Sequence, residues 1–251
     1  MNKKSKRVDY QREKVTVDQK TELLLARFGL LLITLFFVVY PSEKLYVYVP
    51  TTARPQVIQS QLQEIFDGAE VMVFGRYRDF ISRVNSDEPE VVLVKTPLLA
   101  QIEYKERISG LRNGNSKQQY VLLSADENFN NNTIDQNTTI GVLDFLGRRE
   151  MVSFSEVLLN RSTNISRVTR VEDLLPLLTF NMADAVLIEE NNIEYFETTS
   201  NIEFSVIKTP GPPQGIVAFA TKGDASTSGI LQAVGNMDKN TSELFGVDSW
   251  R

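Results

Sequence analysis

From Leu23 to Tyr40 the chain reads LLLARFGLLLITLFFVVY, eighteen residues in which Arg27 is the sole charge. A helix of that length reaches about 27 Å at ~1.5 Å per residue, enough for the hydrocarbon core of a bilayer. Arg27 stands one turn from the start, where its aliphatic stem carries the guanidinium to the headgroups. A buried helix of a soluble domain would interleave polar residues at helical spacing, but between Phe28 and Tyr40 only Thr34 is polar. A cleavable signal peptide would end in small residues, whereas Val38-Val39-Tyr40-Pro41 is bulky. An uncleaved signal anchor over residues 23–40 is therefore expected. Residues 1–22 hold seven basic side chains against four acids, which the positive-inside rule keeps in the cytoplasm. The expected protein is thus single-pass, with its N-terminus cytoplasmic and its body across the membrane, periplasmic or extracellular.

Composition narrows what that body does. Among 251 residues there is no Cys and no His, which removes disulfides, thiolate or imidazole metal sites and Ser-His or Cys-His catalysis. Beyond Arg27 the chain carries 19 basic and 28 acidic residues, poor material for nucleic-acid binding. Paired acids such as Glu189-Glu190 have no sequence partner that defines an acid/base couple. No enzyme, metal or cofactor is expected. The Asn-rich stretch ADENFNNNTIDQ places Asp126, Asn128 and Asn130 at alternate positions. A calcium loop would continue with Gly and Glu where Asn131 and Asn137 stand, so a solvated inter-domain linker is expected. Asn-x-Ser/Thr triplets at Asn131, Asn137, Asn160, Asn164 and Asn240 are glycan acceptors only in a eukaryotic secretory setting.

The body alternates strand and helix signals. KLYVYVP (44–50) reads as a strand, PQVIQSQLQEIF (55–66) as a helix with Pro55 in its first turn, and AEVMVF (69–74) as a strand. A short helix over 77–84 and the apolar run EVVLV (90–94) complete a β-α-β-α-β series, the pattern of a helix-covered parallel sheet. KQQYVLLS (117–124) supplies another strand. A second series opens with TTIGVLD (138–144) and continues with a helix over 149–159 and a strand over 167–171. EDLLPLLTFN (172–181) is a helix in which Pro176 marks a kink or a late first turn, and AVLI (185–188) is a buried strand. Strands over 202–208 and 215–220 flank the Pro210-Gly211-Pro212-Pro213 turn, and a terminal helix covers 228–237.

Several of these pieces match one family in order and spacing. VMVFGRYRDFISRV followed by EPEVVLVKTPLL, then TTIGVLDFLG and RVTRVEDLLPLLTFNMADAVLI, resembles the phosphate/phosphonate-type periplasmic solute-binding proteins over residues 44–235. The resemblance implies an α/β, two-lobed periplasmic-binding-protein fold with a ligand cleft between the lobes. It implies a first lobe of residues 44–124 plus return strands over about 203–251, and a second lobe of 138–200. Strand-to-helix loops offer unpaired N–H groups and partial positive charge, and ligands of open α/β sheets sit beyond the carboxyl ends of strands. The candidate ligand-binding residues are accordingly Thr51, Thr52 and Thr96 as hydroxyls, Tyr77 as a stacking face, and Lys95, Arg148 and Arg149 as cations. Threonines in such places also serve as helix caps. One departure stands out: Asp144-Phe145-Leu146 occupies the place where anion-binding members carry small Ser, Thr and Gly residues.

Two roles fit this pattern. In the first, an anchored solute-binding-like body is a structural or assembly partner within a bacterial envelope complex, as bulky Phe145 and Leu146 at the presumed anion site favour. In the alternative, the cleft captures a small, anionic solute for a transporter or sensor.

Overall fold

The computed structural model describes residues 43–223 and 228–251. The expected anchor at 23–40 and the basic segment before it lie outside the described residues. Among the described residues no helix is long and apolar enough to cross a membrane.

The chain begins as read. Strand β1 (Lys44–Tyr48) is followed by helix α1 (Pro55–Ile65), β2 (Glu70–Val73), α2 (Tyr77–Asp87) and β3 (Val91–Lys95). Pro55 starts α1, where its missing N–H is no loss, and the helix buries Ile58 and Leu62. Helix α2 buries Phe80 and Val84 and stops at Glu88 in the left-handed conformation (φ 45°). All five residues of β3 are buried, as its unbroken apolar run requires of a central strand. The next elements are β4 (Lys105–Leu111), β5 (Lys117–Gln118), β6 (Tyr120–Ser124), β7 (Thr139–Leu143), α3 (Arg148–Leu159) and β8 (Asn164–Val168). They are followed by α4 (Leu174–Thr179), β9 (Ala185–Glu189), α5 (Ile193–Thr199), β10 (Ser205–Lys208), β11 (Gln214–Gly215) and β12 (Val217–Thr221). Short helices α6 (Gly229–Ala233) and α7 (Lys239–Glu243) and the edge strand β13 (Ser249–Trp250) complete the described residues.

These strands form two main sheets. The first has the order β13-β4-β12-β3-β1-β2, with β1, β2 and β3 parallel and β12 antiparallel to both β3 and β4. The second has the order β10-β6-β9-β7-β8, parallel through β9, β7 and β8 and antiparallel beyond. A two-stranded ribbon of β5 and β11 lies where the chain crosses between them. Each sheet carries apolar side chains on both faces. One cluster around Leu45, Leu62, Phe219 and Phe245 belongs to the first sheet, and one around Leu123, Leu174, Val186 and Phe196 to the second. The third cluster is shared: Tyr48, Phe80 and Val94 of the first lobe and Ile140, Phe145 and Leu187 of the second form one contiguous core.

The structure corrects several expectations. Residues 120–124 and 205–208 pair with each other and extend the second sheet, with Leu123 opposite Val186 on the other side of β6, so these strands do not belong to the first lobe. The expected strand over 167–171 lies earlier, at 164–168, in register with β7. Pro176 is the third residue of α4, where its lack of an N–H breaks no helical bond. The Asn-rich stretch joins two strands of one sheet and is no inter-domain linker. Its side chains build consecutive Asx turns (Asp126 Oδ1 accepts from Asn128 N at 2.9 Å, Asn130 Oδ1 from Asn132 N at 2.9 Å, Asp135 Oδ1 from Asn137 N at 2.8 Å), while Phe129 and Ile134 anchor it in the shared core. Among the described residues no cluster of three acids could hold a metal ion. Sequence reading missed β4, α5, α7 and β13.

Candidate functional site

The carboxyl ends of β1, β3, β7 and β9 face one another across the junction of the two lobes. Lys95 is the last residue of β3 and Glu189 the last of β9. Lys95 Nζ donates to both carboxylate oxygens of Glu189, at 2.5 and 2.7 Å, and the Tyr120 hydroxyl donates to Glu189 Oε1 at 3.0 Å. Tyr120 lies directly opposite Glu189 in the β6–β9 ladder, which puts both side chains on one face of the sheet. Lys95 is 6% exposed and Glu189 8%. Two such charges are tolerable out of water only because each satisfies the other. Burial and the neighbouring Glu189 carboxylate hold the Tyr120 phenol neutral, well above its usual range.

Above this pair lies a cavity of about 190 Å³. That is an order of magnitude more than the ~10–15 Å³ that admits a single water. Thr51 and Thr52 of the β1–α1 loop border it on the first lobe, Asn191, Asn192 and Tyr195 on the second, and Glu243 at the end of α7. Lys95 and Glu189 form its floor. Among the described residues its charged lining is one base and two acids, and the base and Glu189 satisfy each other. Glu243 has a single exposed partner, Lys239, at 3.7 Å, a contact worth little in water. The local field therefore favours a cation or zwitterion over an anion. A smaller apolar pocket of about 40 Å³ extends below the ion pair between Tyr120, Phe145, Met151 and Leu174.

The seven residues singled out in the sequence separate into two groups. Thr51, Thr52 and Lys95 converge on the cavity. The Thr51 hydroxyl also accepts from Ala53 N at 3.1 Å in a local turn, and Arg54, the N-cap residue of α1, gives the helix no side-chain cap. The other four point elsewhere. Thr96 packs against Gly215 of β11, where an added Cβ would come within 2.6 Å of it. Arg148 and Arg149 start α3 and are exposed. The Arg149 side chain is 94% accessible, with only Glu150 near it at 3.9 Å, so neither arginine lines the cavity. Tyr77 donates its hydroxyl to Gln101 Oε1 at 2.6 Å and lays its ring on Gly147, the residue preceding α3. Gly147 has φ 79° and ψ 164°, a region open essentially to glycine alone. The start of α3, read as an anion site, is thus covered by an aromatic ring. Asp144 is paired with Arg167, and Phe145 and Leu146 are buried.

Sequence reasoning missed Glu189 as a site residue. The available signal was symmetrical: VVLVK and AVLIE are buried strands that each end in a single charge, of opposite sign. Missed too were Asn191, Asn192, Tyr195 and Glu243, which lie on turns and short helices with no apolar period to mark them.

Phenol titration tests the packing around the cleft. Burial is the leading cause that raises Tyr46, Tyr48, Tyr77, Tyr104, Tyr120 and Tyr195, and nearby carboxylates raise them further. A phenol whose folded value lies above its unfolded value of about 10 adds stability that is complete below pH ~10 and is lost as pH rises beyond it. Native protein is expected to show phenolate absorbance near pH ~10 from at most the two tyrosines outside the described residues, Tyr10 and Tyr40. Tyr46, Tyr48, Tyr104 and Tyr120, the most strongly raised, should ionise only with alkaline unfolding, and Tyr77 and Tyr195 above the usual phenol range. A smooth eight-phenol titration of folded protein would contradict this packing.

No protein-family model and no curated protein sequence matches the chain. Solved structures do. The periplasmic VFT2 domain of Bordetella pertussis BvgS aligns with TM-score 0.53 and 12% identity over 85% of this chain and 95% of that one. The substrate-binding protein AbpA of an amino acid ABC transporter from Streptococcus pneumoniae, bound to L-arginine, aligns with TM-score 0.52 and 12% identity over 81% and 87%. XAC2383 from Xanthomonas citri, bound to ATP, aligns with TM-score 0.58 and 11% identity over 84% and 90%. At such identities the likeness concerns the fold. The chain has the mixed α/β, two-lobed architecture of solute-binding domains, and the matches do not single out phosphate- or phosphonate-type members.

Proposed function

We propose that the body captures a small amine-bearing solute, zwitterionic or cationic and of amino-acid size, in the cavity between its lobes. The observation that carries this reading is the described lining of that cavity: hydroxyls and amides from the two lobes, a Lys95–Glu189 pair whose charges cancel, and the carboxylate of Glu243. Proteins of this architecture that bind amino acids, such as the arginine-bound AbpA, lend it support. An anionic solute, as phosphate/phosphonate kinship implied, would meet Glu243, with Lys95 already held by Glu189 and no further cation among the described lining residues. Residues 23–40 would tether the module to the inner membrane with residues 1–22 in the cytoplasm, which suits delivery of solute to a transporter or sensor. The reaction class is reversible binding, without chemistry.

A scaffold role is the second reading, favoured by the apolar core that both lobes share. Thermal denaturation separates the two. A solute at a hundredfold excess over its Kd stabilises by about 2.7 kcal/mol, roughly 5–10 °C for a domain of this size. At least one L-amino acid or small amine should produce such a shift, and inorganic phosphate should not. A flat response to the whole panel would leave the scaffold reading, and a shift with phosphate or ATP alone would overturn the charge argument.

A further inference from the structure

We infer that Lys95 is a built-in ammonium ligand for Glu189, a latch that holds the two lobes together through the protein's own chain. The inference does not depend on solute capture. Lys95 leaves the first sheet and Glu189 the second, 94 residues apart in sequence, and their contact is buried. Two of the three ammonium protons go to the Glu189 oxygens, and Tyr120 completes the carboxylate. The receptor for the amine, Glu189 with Tyr120, belongs wholly to the second lobe. The lobes are otherwise joined by the chain crossings at β5 and β11 and by the apolar core they share, so the pair is a polar part of their junction. Removing the amine would strand a buried carboxylate, which rehydrates where the lobes loosen around the cavity that Lys95 and Glu189 floor.

The test is chemical rescue. Lys95→Ala removes the atoms from Cγ to Nζ, which is the outline of n-propylammonium. The chain has no cysteine, so Arg78→Cys on α2 and Ser153→Cys on α3, both exposed, can carry spin labels across the lobe junction in full-length protein. The labelled parent should give a narrow distance distribution. Lys95→Ala should broaden and lengthen it, and millimolar n-propylammonium should restore it where n-propanol does not. Restoration should vanish when Glu189→Gln is added. Failure of propylammonium to restore the distance, or equal restoration by propanol, overturns the latch. Should Lys95→Ala not fold, Lys95→Met with Glu189→Leu removes both charges while keeping the space filled. That pair is expected to fold with a broadened distribution, and a distribution identical to the parent's would count against the inference.

Discussion

Lys95→Met is expected to destabilise the folded protein by about 3–5 kcal/mol, and Glu189→Leu by a similar amount, because each leaves the other charge buried without its partner. The double variant should recover most of the loss, since two apolar side chains of similar size fill the same space, and retain a deficit of about 1–3 kcal/mol for the Tyr120 hydroxyl left without Glu189. The coupling between the two positions is then the measured quantity. Denaturant unfolding followed through Trp250, the sole tryptophan, reads it well. The indole packs 5.0 Å from the Phe219 ring and donates to Ser242 Oγ at 2.9 Å. Single variants that each cost under about 1 kcal/mol would mean that the pair is solvated and does not join the lobes.

Gly147→Ala should be comparably severe, for two separable reasons. The backbone there sits where a Cβ costs about 1–3 kcal/mol. The Cβ would also come within 2.7 Å of the Tyr77 ring, and such overpacking costs about 1–3 kcal/mol more. In a Tyr77→Ala background the steric part disappears and the backbone part stays. The Gly147→Ala penalty should therefore fall by roughly half when Tyr77 is absent, though never to zero. If the penalty were the same in both backgrounds, Tyr77 would not lie on the start of α3. The site first read as an anion receptor would then be open.

How far the sequence carries depends on how locally each feature is encoded. Strands β1, β3, β7 and β9 are apolar runs bounded by turns, and α1, α2 and α3 show helical spacing, so all were legible from neighbouring residues. Strand β4, KERISGL, was not. Its first three residues are exposed and only its end is buried, because it lies next to the short edge strand β13 and leaves much of its length to solvent. Membership of a sheet is less local still. Nothing within Tyr120–Ser124 or Ser205–Lys208 states that they pair with each other in the second lobe. The same limit explains the site. Lys95 was visible as a charge after a buried strand, but the carboxylate that claims it comes from another lobe. Arg148 and Arg149 stand at a helix start as the anion rule requires, yet the buried neighbours Phe145 and Leu146 turn that start into packing surface.

The capture reading is tested most directly by calorimetric titration of full-length protein, run beside a Thr52→Trp variant whose indole would fill the interlobe cavity. Wild-type protein should bind at least one L-amino acid or small amine with saturable one-to-one heat. The variant should bind none, and neither should respond to inorganic phosphate. Undiminished binding by Thr52→Trp would move the solute out of the cleft, and saturable heat with phosphate would reverse the charge preference assigned to it.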